Sequence, residues 1–241
     1  MRALNNEDFL ALWETGQRLH PIDQGLLAIQ SSLPDAASEA VADWPLGRRN
    51  QALAQLRVLY FGPQLQGWTT CGQCEEKLEF EIDCHALILR QEEAAREPVK
   101  IRGQVFRLPT SRDLASIVNE IDAEEAPLRL LQQCQILPIE TTAFNRLTTP
   151  LSREDIEAVS EQMALADPLA EIAFGFECPN CHSTSQEILD LPSFLWSEIE
   201  ARAKRLLFEV HALASAYGWA EAQILAMTDI RRATYLQMVG A

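Results

Sequence analysis

With 241 residues, 47% of them hydrophobic and 23% charged, the chain can bury a substantial core as one large domain or two small ones. Its formal charge is −15, from 35 acidic against 20 basic side chains, which argues against a nucleic-acid binder, because phosphate contacts need a basic face. The opening Met1-Arg2-Ala3-Leu4-Asn5-Asn6-Glu7-Asp8 has no apolar signal core, and no uncharged stretch approaches the roughly 20 apolar residues of a membrane span, so a cytoplasmic protein is expected.

Two amphipathic helices are predicted first, over 6–17 and 22–33, with one-sided stripes of Phe9, Leu10, Leu12, Trp13 and of Ile22, Leu26, Leu27, Ile29. His20-Pro21 opens the second, with proline at an early helical position. Pro34 and the small, acidic run through Asp43 read as a loop or weak helix. A third helix over about 48–60 ends at Gly62-Pro63. Leu78-Glu79-Phe80-Glu81-Ile82 then alternates as a half-buried strand does, and Val99 to Leu108, turning at Gly103, reads as a hairpin.

Thr110-Ser111-Arg112-Asp113 has the capping pattern that starts a helix, expected to run to about Glu120, and another helix is expected over 124–136. Ser152 and Asp155 repeat the pattern ahead of a helix that stops near Asp167-Pro168. Ile172–Phe176 and Gln186–Asp190 are candidate strands. The longest helix is expected over about 193–217, ended by Gly218, followed by helices over 220–226 and Asp229–Val239. The expected class is therefore mainly α with small β islands (α+β), in three regions: 1–66 helical, 67–190 carrying the cysteines with an inserted hairpin and helices, and 191–241 helical.

The β islands flank Cys71-Gly72-Gln73-Cys74 and Cys178-Pro179-Asn180-Cys181. Four thiolates in two C-x-x-C pairs supply a closed tetrahedral shell for one structural Zn²⁺, here a zinc-ribbon-like site built from two distant β-knuckles. Both pairs continue as C-x-x-C-x₈-D, to Asp83 and to Asp190, an internal echo that suggests two half-sites facing one ion. Cys84 and Cys134 stand outside the pattern and read as small buried apolar residues.

Other chemistries fit less well. Cys178 to His182 spells the c-type haem attachment pattern, but no export signal precedes it and haem needs no second knuckle. A thioredoxin-like dithiol sits at a helix N-terminus, whereas strands follow both pairs here. Catalytic zinc needs an open position that a Cys₄ shell lacks, and His182 reads as a polar neighbour. His20, His85, His182 and His211 share no nucleophile or metal spacing, and no phosphate-cradling glycine loop is present. A helix-turn-helix around Gly218 would have only Arg231-Arg232 as basic residues. No catalytic residue is assigned.

The end of the chain carries a resemblance. Phe194-Leu195-Trp196, Glu209-Val210-His211, Tyr217-Gly218-Trp219, Ile224-Leu225 and Arg231-Arg232-x-x-Tyr235-Leu236, with Pro45-Leu46-Gly47-Arg48-Arg49-Asn50, Phe61-Gly62-Pro63, the two knuckles and Phe106-Arg107-Leu108-Pro109-Thr110-Ser111-Arg112-Asp113-Leu114, resemble T-even-type baseplate proteins of contractile phage tails and contractile injection systems. The resemblance implies a non-catalytic protein of the baseplate or hub, or an assembly chaperone, with hub or spike subunits as partners and no small-molecule substrate. Tyr217, Trp219, Arg231, Arg232 and Tyr235 are the residue types that dominate interfaces, although packing of the terminal helices on each other would use them equally. A thiol-disulfide or zinc-dependent enzyme, and a zinc-ribbon nucleic-acid binder, are the alternative readings.

Overall fold

The computed structural model describes residues 1–33, 41–92, 97–118, 125–136 and 152–240. Of the loop or weak helix expected from Pro34 through Asp43, residues 34–40 lie outside them and Val41–Asp43 form a turn of 3-10 helix; the final residues of the helix expected to reach Glu120 also lie outside. The chain divides into two compact units, Met1–Ser38 with Leu191–Ala241, and Glu39–Asp190.

The first unit joins both ends of the chain and is helical. Helices α1 (Asn6–Gly16) and α2 (Pro21–Ser32) form a hairpin. α1 starts where the Asn5 side chain accepts a bond from the Asp8 amide, and α2 where His20 Nδ1 accepts from the Ile22 amide. Both pack on the α8 helix (Leu191–Tyr217), followed by α9 (Glu221–Leu225) and α10 (Asp229–Val239). Gly16 allows this approach: a methyl group there would fall 2.1 Å from the Trp196 ring. The Arg202 guanidinium covers Phe9 at 4.5 Å, and Asn6 Nδ2 donates to the Leu225 carbonyl at 3.0 Å. Phe9, Ile29, Leu195, Ile199, Leu213 and Ile224 are fully buried.

The second unit is built on α3 (Leu46–Phe61), which is buried along most of its length and carries Arg49, Asn50 and Arg57 inside. These polar groups are satisfied locally, as burial requires. Asn50 Nδ2 donates to the Leu169 carbonyl at 2.7 Å, while its Oδ1 accepts from Arg49 Nε and Nη2. Arg49 Nη1 donates to Ser111 Oγ. Asp167 caps the N-terminus of α3 from a distant part of the chain, accepting the Gly47 amide at 2.8 Å and Gln91 Nε2 at 2.6 Å. The Leu46 amide reaches the Pro109 carbonyl. Two motifs far apart in sequence, Pro45–Asn50 and Leu108–Ser111, therefore meet in space.

The second unit also holds three small antiparallel sheets. β1 (Gln64–Thr70) pairs with β2 (Lys77–Asp83), and β6 (Ala173–Glu177) with β7 (Thr184–Ile188). β3 (Val99–Ile101), β4 (Gln104–Phe106) and β5 (Gln135–Ile136) form the third. α4 (Cys84–Glu92) packs on α3. α6 (Ala126–Cys134) and α7 (Arg153–Ala166) share a core with the β3–β5 sheet, made of Phe106, Leu131, Cys134, Val159 and Met163, and α5 (Ser111–Ile117) packs on α6.

The class is mainly α with small sheets. The expected helices are present, and α5 and α7 begin at capping boxes on Thr110/Asp113 and Ser152/Asp155. Strand β1 was not expected from the sequence: it begins two residues after Gly62, where only the end of a helix was read. Helix α6 stops at Cys134, two residues short of the expected 136, because Gln135 and Ile136 pair with Phe106 and Val105.

Candidate metal centre and partner surface

The two knuckles are structural replicas. In each, the ladder closes just outside the cysteines, with Thr70 opposite Lys77 and Glu177 opposite Thr184. The loops 71–76 and 178–183 that remain are equal in length. The Cys71 amide donates to the Glu76 carbonyl at 2.8 Å, and the Glu75 amide to the Cys71 carbonyl at 2.9 Å. Cys178 with Ser183, and His182 with Cys178, repeat these bonds at 2.9 Å each. The residue after each second cysteine takes positive φ, 60° at Glu75 and 57° at His182. Neither is glycine, so each loop holds a left-handed residue against its preference.

This shared turn brings Cys71, Cys74, Cys178 and Cys181 together, their sulfur atoms all within 4.8 Å of one another. Cys71 and Cys181 approach to 3.6 Å, as do Cys74 and Cys178. Zn–S bonds of about 2.3 Å in a tetrahedron require S···S of about 3.8 Å, so the donor set and spacing fit one zinc-sized ion. An ion bound by all four thiolates would keep no position for substrate or water.

Neighbouring groups prepare the thiols for ionisation unevenly. The Ser183 hydroxyl, then the amides of Gln73 and Cys74, bring Cys71 down to about 6. Ser183 also lowers Cys181, through its hydroxyl first and then its amide. At Cys74 the Glu76 amide favours the thiolate, but burial and the adjacent Cys181 and Cys178 thiols outweigh it, pushing the group up to about 11. Crowded thiolates repel one another, and a divalent cation removes that cost. Ser183 Oγ lies 3.2 Å from Cys71 Sγ and 3.0 Å from Cys181 Sγ, a supporting contact that sequence spacing did not single out.

The surroundings separate the rival readings. Each C-x-x-C pair stands between two strands and not at a helix N-terminus. His182 is exposed and faces Glu177, with Nδ1 3.5 Å from Oε1. Cys84 and Cys134 are fully buried, and burial pushes the Cys134 thiol up to about 11. Behind the cysteines, Phe80, Phe174 and Phe176 form an aromatic triad with centroids 4.9–6.0 Å apart, which holds the two hairpins face to face. Gly67 pairs with Phe80 in the ladder, and a methyl group there would fall 2.4 Å from that ring.

The aromatic and basic residues near the C-terminus also converge. Tyr217 and Trp219 stack at 4.5 Å, and Tyr235 meets their edges at 5.9 and 4.9 Å. Arg231 and Arg232 diverge. Arg232 is buried, with Nε 2.5 Å from Glu209, Nη2 2.8 Å from Asp229 and Nη1 3.1 Å from the Met227 carbonyl. Burial alone would lower its affinity for the proton, but the two carboxylates more than offset this and raise it. Arg231 stays exposed, its guanidinium 5.8 Å from the Tyr235 ring.

Residues 28–196 match the model of the T4 bacteriophage base plate protein family. The chain belongs to that family. The matched span holds all four knuckle cysteines and the Pro45–Asn50 motif, and it ends at Trp196, ahead of the Tyr217–Tyr235 cluster. No curated protein and no solved structure matches the chain. Among the described residues no helix is long and apolar enough to cross a membrane.

Proposed function

We propose that this baseplate-family protein is a zinc-stapled, non-catalytic component of the baseplate or hub of a contractile phage-tail-like particle, or a chaperone for its assembly, and that it acts by binding hub or spike subunits. The observation that carries the reading is the convergence of Cys71, Cys74, Cys178 and Cys181 in a chain of this family. The ligand set has the donor chemistry of structural zinc, and four thiolates would complete its tetrahedral shell. The metal would hold together two cysteine pairs separated by more than a hundred positions, and so present the rest of the surface in one arrangement.

The test has two parts. Native and denaturing mass spectrometry of the purified chain should differ by one zinc ion per monomer. Replacing all four knuckle cysteines by serine should abolish both the metal and particle assembly in cells carrying the rest of the tail genes. Normal particles from that quadruple variant would refute the stapled-component reading. Metal-free protein with a reactive, acidic Cys71 would favour the thiol-disulfide alternative.

A further inference from the structure

At the C-terminal end of the first unit, Trp219, Gln223, Ala226, Met227 and Arg231 enclose an open groove of about 370 Å³. Its lining joins an aromatic wall, a flexible thioether and a cation, the residue types that recur at interface centres. The aromatic wall is rigid, because Trp219 is stacked on Tyr217 and met edge-on by Tyr235. The cation is uncommitted: among the described residues Arg231 forms no ion pair, whereas its neighbour Arg232 is held by Glu209 and Asp229. The adjoining outer face of α10 carries no charge across Ile230, Ala233, Thr234 and Gln237, all exposed, with Ile230 83% exposed. Exposed Ile230 and Ala233, beside a guanidinium that makes no ion pair among the described residues, offer a partner both an apolar contact and a charge.

We infer that this groove and the outer face of α10 receive an amphipathic helix of a partner protein, one whose ridge places an apolar side chain against Trp219 and Met227 and a carboxylate on Arg231. The inference rests on the reading that the chain acts through protein partners, and it assigns the site and the chemistry. Every described element of this unit is helical, so it offers no strand edge to extend, and helix-in-groove docking is the mode its surface allows. Gln223 on α9 and Ala226 and Met227 in the turn that follows it form the floor that such a helix would meet. A second copy of this chain is disfavoured, since each copy carries −15 and a two-fold contact at the groove would set Arg231 near its own counterpart.

The probe is a yeast-displayed library of helical peptides about 14 residues long, selected against the full-length, metal-loaded protein. Enriched peptides should carry Leu, Met or Phe one turn from Asp or Glu. They should bind Arg231→Glu about tenfold or more weakly, and changing that acid to Lys in the peptide should restore binding to the variant. Arg129→Glu, which changes net charge equally in the other unit, should leave binding unchanged, and Arg231→Glu should keep the parent melting temperature. No enrichment, enrichment of basic peptides, or equal retention by Arg231→Glu would each overturn the assignment. A protein that carries zinc but selects nothing fails here and leaves the stapled-component reading standing, and a metal-free protein that selects acidic helices does the reverse.

Discussion

Gly47 illustrates how one missing methyl group can hold a domain together. Its amide reaches Asp167 Oδ2 at 2.8 Å, and a methyl there would fall 1.9 Å from Asp167 Oδ1 and 2.6 Å from Gln91 Oε1. Neither acceptor can swing away, since Asp167 is bonded to Gln91 and Gln91 to the Leu169 amide. Gly47→Ala should therefore cost about 2–3 kcal/mol in urea unfolding, whereas Gly72→Ala, with nothing within 4 Å, should stay within about 0.5 kcal/mol. Equal effects would show that the Asp167 cap is dispensable. The arginine pair makes the same point for charge. Arg232→Met leaves the Glu209 carboxylate with only Arg205 Nε at 3.9 Å and should destabilise by about 2 kcal/mol, while Arg231→Ala should be near neutral, as two melting curves would show. From sequence the two arginines read as one basic patch. Adjacent helical positions point about 100° apart, and only the placement of Glu209 on α8 decides which is drawn inside.

At the scale of elements, what was legible is what is local. The capping boxes of α5 and α7 are written within four residues, and both helices start where that pattern puts them. Their carboxylates also set an acid limit. At Asp113, burial raises proton affinity, but paired bonds from Arg107 at 2.6 and 2.7 Å and those from Thr110 hold the group below its ordinary 3.8. A folded value below the unfolded one means the contribution is complete above about pH 4 and is lost as pH falls through the lower, folded value. Asp113→Asn should thus lower the urea midpoint at neutral pH and converge on the parent as pH falls through the folded value; parallel curves down the acid range would remove Asp113 from the acid limit. Strand β1 was illegible for the opposite reason. Gln64-Leu65-Gln66-Gly67-Trp68-Thr69-Thr70 has no charge alternation, and only pairing with β2 makes it a strand. Gly67, a poor strand former, is required there because Phe80 covers it. Gly67→Val raises local propensity yet displaces Phe80 from Phe174 and Phe176, so protein loaded with zinc should release it faster to a chromogenic chelator.

For the molecule as a whole, the decisive contacts are those between distant parts of the chain. The echo between the knuckles placed four cysteines at one site, because identical local turns imply identical local geometry. That α1 and α2 pack on α8 was not readable, since a one-sided apolar stripe names a buried face without naming what buries it. Residues 39–190 form one unit whose two hairpins meet at the sulfur cluster, closing a loop of over a hundred positions. Closing so long a loop costs chain entropy that a bound ion offsets in the folded state alone. Metal removal should therefore act on this unit: chelation at neutral pH should lower its melting transition by about 10 °C or more. The transition that responds to Arg232→Met, which belongs to the unit formed by the chain ends, should shift far less. Hydrogen exchange separates the two at residue level, with protection expected to fall in β1, β2, β6 and β7 and to persist in α8. If chelation left the four strands protected, the aromatic triad of Phe80, Phe174 and Phe176 would suffice to hold the hairpins, and the sulfur cluster would need another explanation.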